Sequence, residues 1–172
     1  MTAEVLYQIV KAWVAARGGK MLYIPKLLLP GILLGKVLNA PKRILIAEDD
    51  QILLRTLSDR FVKEGFAVFE VKDGNEAMAE ARKNHPDLLL LDILMPQLSG
   101  LQAMRQIREE GEWGKNVPII LLTNLDTTDD IIKDIVQCKP AFYLVKSQWK
   151  LEDVIKKVKD LLGPAPAIAH RY

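Results

Sequence analysis

The chain has 172 residues, of which 49% are hydrophobic and 27% charged, with a formal net charge of +2. This balance suits one sizeable core, or one domain plus an appendage, and excludes a wholly disordered chain, a collagen-like chain and a polytopic membrane protein. One cysteine, Cys138, allows no intrachain disulfide, and with only two histidines, His85 and His170, it argues against a structural zinc site.

The charge is unevenly spread. Residues 1–40 hold five basic residues and one acid, and residues 41–172 hold nineteen basic and twenty-one acidic residues, so the segments carry +4 and −2. The larger part lacks the dense basic face of a nucleic-acid-binding protein, and no direct nucleic-acid contact is expected.

Three zones follow in chain order. Residues 1–40 form a hydrophobic and basic extension. Within it, residues 2–17 have the spacing of an amphipathic helix, with Val5, Leu6, Ile9, Val10 and Trp13 on one stripe and Gly18-Gly19 as its stop. Residues 21–39 are more apolar, but Pro25, Lys26, Pro30 and Lys36 interrupt any spanning helix. Four readings stay open for this extension: a helical cap, an interfacial membrane anchor, a partner contact, or an upstream segment with Met21 as the true start.

Residues 41–162 alternate between two hydrophobic periods. The run RILIAE at 43–48 reads as a strand and is followed by helical spacing over 53–61. A strand at 66–71, a turn at Lys72-Asp73-Gly74 and a helix at 75–83 come next. The leucine run 88–91 before Asp92 predicts a strand buried on both faces. A helix over 100–110, a strand over 117–122, a helix over 127–136, a strand over 141–145 and a helix over 151–162 complete the series. Gly163-Pro164 stops the last helix, and 163–172 is expected to be a disordered tail. Five strand–helix units in this length predict an α/β parallel sheet covered on both faces.

Parallel sheets bind ligands at the carboxyl ends of their strands. Those ends carry Glu48-Asp49-Asp50, Asp92, Thr123 and Lys146. Crowded carboxylates repel, and a magnesium ion relieves that repulsion. A lysine and a hydroxyl alongside suit phosphoryl transfer, where positioning and charge neutralisation do most of the work. Asp50 reads as a helix cap.

The stretches RILIAEDD, DLLLLDILMPQLSG, PIILLT and FYLVK resemble the receiver domain of two-component response regulators, over residues 42–162. The resemblance implies a flavodoxin-like, doubly wound, five-stranded parallel sheet in the order 2-1-3-4-5. It implies that Asp92 accepts a phosphoryl group from a sensor histidine kinase. Magnesium is then held by Glu48, Asp49, Asp92 and the backbone carbonyl of Leu94. Lys146 pairs with the phosphoryl group, and Thr123 and Tyr143 form the switch. It further implies a cytoplasmic phosphoacceptor of the chemotaxis type that catalyses its own transfer and is not an enzyme in the usual sense. Output is expected through protein contacts of the predicted fourth helix, fifth strand and fifth helix, from a stand-alone receiver. The alternative is a degenerate receiver acting as a phosphorylation-independent scaffold.

Two rivals fit less well. A phosphatase of the haloacid-dehalogenase kind needs a second aspartate where Leu94 stands, and a nucleotide-binding module needs a glycine-rich loop after the first strand. Three departures from the family pattern are visible. Ser147 replaces the usual proline after the lysine, which predicts a trans or strained Lys146–Ser147 link because a cis bond there costs roughly 3 kcal/mol. Asn124 stands where a small residue is usual. Leu94 and Leu125 occupy the two variable rim positions, and neither can hydrogen-bond an attacking water, which predicts slow self-dephosphorylation.

Overall fold

A computed structural model describes residues 40–124 and 129–163. The chain order is β1 (Arg43–Ala47), α1 (Gln51–Lys63), β2 (Ala67–Val71), α2 (Gly74–Asn84), β3 (Leu88–Asp92), α3 (Gly100–Arg108), α4 (Gly111–Asn116), β4 (Ile119–Thr123), α5 (Asp129–Cys138), β5 (Phe142–Val145) and α6 (Leu151–Leu162). All strand pairings are parallel, and the sheet order is β2-β1-β3-β4-β5, as expected.

Side-chain alternation along each strand builds two apolar layers. Leu45, Ala47, Leu89, Leu91, Ile119 and Leu121 face the layer completed by Ala77, Met78 and Ala81 of α2, Leu101, Met104 and Ile107 of α3, and Ile135 of α5. Ile44, Ile46, Leu88, Leu90, Ile120 and Leu122 face the other, completed by Leu54, Leu57 and Phe61 of α1 and Val154, Ile155 and Val158 of α6. Every residue of β3 and β4 is buried, which explains their unbroken apolar runs.

The register aligns the carboxyl ends. Ala47 pairs with Leu91, Asp92 with Leu122, and Thr123 with Val145, so Glu48, Asp92, Thr123 and Lys146 arrive at one rim. The strand order reverses between β1 and β3, where such sheets open a crevice. Asp50 caps α1, its Oδ1 accepting from the Ile52 and Leu53 amides at 2.8 and 3.1 Å, which is the role expected of it.

Several local features differ from the sequence reading or resolve it. The helix expected over 100–110 ends at Arg108, and a separate helix, α4, follows. Gly111, at φ +64°, makes the break between them. Within α4, Trp113 donates its indole N–H to the Pro86 carbonyl at 3.0 Å, which holds this short helix in place. His85 is the C-cap of α2 at φ +42° and stacks on Trp113 at 4.7 Å between ring centroids. Cys138 is partly buried against the first layer. Trp149 is a core cover, half-buried against the second layer. The Lys146–Ser147 bond is trans, in line with its serine. The expectations for residues 1–39, for Leu125, for the helix start at 127–128 and for the tail from Pro164 lie outside the described residues.

Candidate functional site

Glu48 leaves β1 with its side chain wholly buried, an arrangement that needs compensation. Compensation comes from the far side of the sheet. Lys146, just past β5, donates its ammonium to Glu48 Oε1 and to Asp92 Oδ2, both at 2.8 Å. The Asp92 side chain is 2% exposed and that of Lys146 16%, so this triad is nearly sealed from water. The Leu94 amide donates to the other carboxylate oxygen, Asp92 Oδ1, at 3.2 Å.

The charges are unequal to one another. Burial is the main force on Glu48 and raises its pKa to about 7, with the Asp92 charge adding to the rise and the Lys146 hydrogen bond opposing it. For Lys146, burial works against the ammonium, but the hydrogen bonds and charges of Asp92 and Glu48 outweigh it and hold the pKa above the usual lysine range. Lysine therefore stays charged, and the pair of carboxylates carries the excess.

Glu48 Oε2 is buried and has no hydrogen-bond partner. An orphaned buried oxygen of this kind is costly unless something binds it. Asp49 is exposed beside it, and ligand atoms of Glu48, Asp49 and Asp92 all lie within 4.8 Å of one another. Three carboxylates so close, one of them with an unsatisfied oxygen, match the hard-oxygen donor set of a magnesium ion.

The other expected site residues are placed as follows. Thr123 is fully buried at the tip of β4, and its hydroxyl donates to the Asn124 carbonyl at 2.9 Å. Tyr143 of β5 is half-buried against the first apolar layer. Leu94 is 54% exposed on the rim. A contributor absent from the sequence reading is Gly100, the first residue of α3. A β-carbon there would stand 2.0 Å from the Asp92 carbonyl oxygen, so only glycine lets the start of α3 press against the acceptor's backbone. Its place in the LSG end of the loop motif was the only available signal.

Known proteins share this fold. The receiver domain of the sensor histidine kinase PA1611 from Pseudomonas aeruginosa PAO1, described with a magnesium ion coordinated in its active-site cleft, is 30% identical, with a TM-score of 0.64 over 72% of this chain and 99% of that one. The chemotaxis protein CheY4 of Vibrio cholerae has the same fold, at TM-score 0.64 and 24% identity over 72% of this chain and 100% of that one. The response regulator MprA of Mycobacterium leprae is 32% identical over 120 residues, which is 70% of this chain and 50% of MprA. The probable transcriptional regulatory protein TcrX of Mycobacterium tuberculosis is 29% identical over 122 residues, 71% of this chain and 50% of TcrX. The chain thus spans about half the length of these curated relatives. They support the receiver assignment, but lend no support to a stand-alone, chemotaxis-type organisation or to the expected lack of nucleic-acid contact. The response regulator receiver domain model matches residues 44–159, and the chain belongs to that family.

Proposed function

We propose that this protein is a phospho-switch that accepts a phosphoryl group on Asp92 from the phosphohistidine of a sensor histidine kinase. The observation that carries this reading is the Lys146 ammonium, held 2.8 Å from both Asp92 and Glu48 beside an orphaned Glu48 oxygen. In the transfer, an Asp92 carboxylate oxygen attacks phosphorus, the donor's P–N bond breaks as the P–O bond forms, and the imidazole leaves with the electron pair. Glu48, Asp49, Asp92 and the Leu94 carbonyl would hold magnesium. When bound, the ion neutralises charge on the carboxylates and phosphoryl oxygens. The chain's own residues do the rest. Lys146 keeps its contact as negative charge moves from carboxylate to phosphoryl. Burial excludes the water that would compete with Asp92.

The Thr123 hydroxyl, bonded to the Asn124 carbonyl in this state, is the group that turns to the acyl phosphate, and Tyr143 follows it. The output surface is the face made by α5, β5 and α6. Val136 of α5, 69% exposed, gives it apolar character, whereas Lys157, 4.4 Å from the Phe142 ring, and Lys159, paired with Glu64, serve the fold. We read the protein as a self-catalysing acceptor of the cytoplasm, signalling through protein contacts and not turning over a separate substrate. Among the described residues, no helix is long and apolar enough to cross a membrane.

The test is labelling by a small acyl phosphate or phosphoramidate, with and without magnesium, on the 172-residue chain and its Asp92→Asn variant. Magnesium-dependent labelling abolished by the substitution is expected. A folded protein that takes no label, or a variant labelled like the parent, overturns the reading.

A further inference from the structure

The loop that follows Asp92 is held in a strained shape by a distant part of the chain. Gln97 sits at φ +64°, and the Leu98 amide donates back to the Pro96 carbonyl at 2.8 Å, closing a three-residue turn of the disfavoured hand. A residue other than glycine keeps such a conformation only where its surroundings enforce it. Here the enforcement comes from the β2–α2 turn. The Gln97 side-chain amide is gripped at both ends. Its carbonyl accepts from Asn75 Nδ2 at 3.0 Å, and its NH2 donates to Asp73 Oδ2 at 3.3 Å. Asp73 is itself fixed, because its other oxygen, Oδ1, accepts from the Glu76 amide at 2.9 Å as the cap of α2. Between them, Gly74 lies so close to Leu98 that an added β-carbon would stand 2.1 Å from the Leu98 carbonyl oxygen.

This contact reaches the acceptor through a short path. Met95, before the turn, is buried, and Leu94, next to it, donates its amide to Asp92 Oδ1 at 3.2 Å. At the far end of the loop, the Gly100 amide donates to the Ile93 carbonyl at 3.1 Å. The loop is therefore pinned at both ends, and the β2–α2 turn decides the shape in between.

We propose that Asp73, Gly74 and Asn75 form a positioning clamp on Gln97–Leu98 that sets the Leu94 backbone, and through it the Asp92 carboxylate, in the geometry needed to bind magnesium. This rests on the phospho-switch reading, since Asp92 and the Leu94 carbonyl are ligands only within it. None of the clamp residues belongs to the carboxylate cluster that would hold the cation. They act through the loop.

The experiment measures magnesium affinity by titration calorimetry on the unphosphorylated full chain, together with amide hydrogen exchange at Leu98 and Gly100 without metal. The variants are Gln97→Ala, Gln97→Gly and Gly74→Ala. Loss of a supporting contact of this type is expected to weaken magnesium binding about tenfold. Exchange at Leu98 is expected to quicken by about the same factor in Gln97→Gly, which relieves the strain but releases the grip. The two Gln97 variants alter an exposed loop residue, so the test stands even where Gly74→Ala does not fold. Magnesium affinity and Leu98 exchange within about twofold of the parent in both Gln97 variants overturn the clamp while leaving the switch intact. A parent chain that neither binds magnesium nor takes label at Asp92 overturns the switch reading and the clamp with it.

Discussion

Lys146 Nζ lies 2.8 Å from Asp92 Oδ2, although the two residues are 54 positions apart and end strands that are not neighbours in the sheet. β4 stands between them, and the lysine reaches over its tip. The same ammonium also meets Glu48 at the end of β1, so one side chain ties three of the five strands together at the rim. That arrangement makes the site both a chemical centre and a stability determinant.

Lys146→Met tests this double role. The substitution leaves Glu48 and Asp92 buried together without their shared cation, and breaking a buried pair costs roughly 3–5 kcal/mol. A lower urea midpoint is expected at pH 8, with a smaller loss at pH 5.5, where Glu48 takes up a proton and the repulsion falls. Labelling of Asp92 is expected to drop as well. An equal loss of stability at both pH values would contradict this account.

Glu48 sets a second pH dependence in the native chain. Its pKa rises from 4.5 to about 7 on folding, so between those values the folded state binds more protons than the unfolded state. Stability then falls as pH rises through this window and levels off above it, by up to about 3 kcal/mol from this group. Magnesium competes with that proton. Its affinity is expected to increase with pH up to about 7, and proton release on binding, measured by calorimetry in two buffers, checks it.

Gly100→Ala is expected to be severe despite the small change. The new methyl would meet the Asp92 carbonyl oxygen at 2.0 Å, and backbone cannot give way as a flexible side chain can. A destabilisation of at least about 2 kcal/mol is expected from urea unfolding, with Asp92 labelling reduced in the fraction that folds.

Leu94 bears on the lifetime of the signal. The residue is 54% exposed on the rim, and its side chain offers no hydrogen bond to an attacking water. The phosphorylated chain is expected to be long-lived, and Leu94→Asn to shorten its half-life several-fold. A parental half-life of seconds in magnesium buffer would count against this.

Much of the architecture is legible in the sequence. The leucines of β3 and the apolar run of β4 are continuous because helices cover both faces, and such runs are visible by composition alone. Asp50 and the helix at 151–162 were equally plain, since caps and amphipathic stripes are local patterns. The strand order came from family resemblance, because periodicity says nothing about which strands pair. α4 has no helical signature in the sequence because its six residues include two glycines, and what keeps it helical is tertiary: Trp113 on Pro86 and Arg108 donating to the Gly114 and Val117 carbonyls at 2.7 and 2.8 Å.

The site divides in the same way. Which residue types stand at the strand ends is a property of the sequence, and it points to the run Glu48-Asp49-Asp50 with Asp92, Thr123 and Lys146; the role of each comes from the family resemblance. That Glu48 is sealed from water with one oxygen unsatisfied, that one lysine spans both carboxylates, and that Gln97 is held by residues 22 and 24 positions earlier are facts of the folded chain. Burial and long-range contact depend on how layers close over one another. A linear pattern records the period of each element, but not the distance between them.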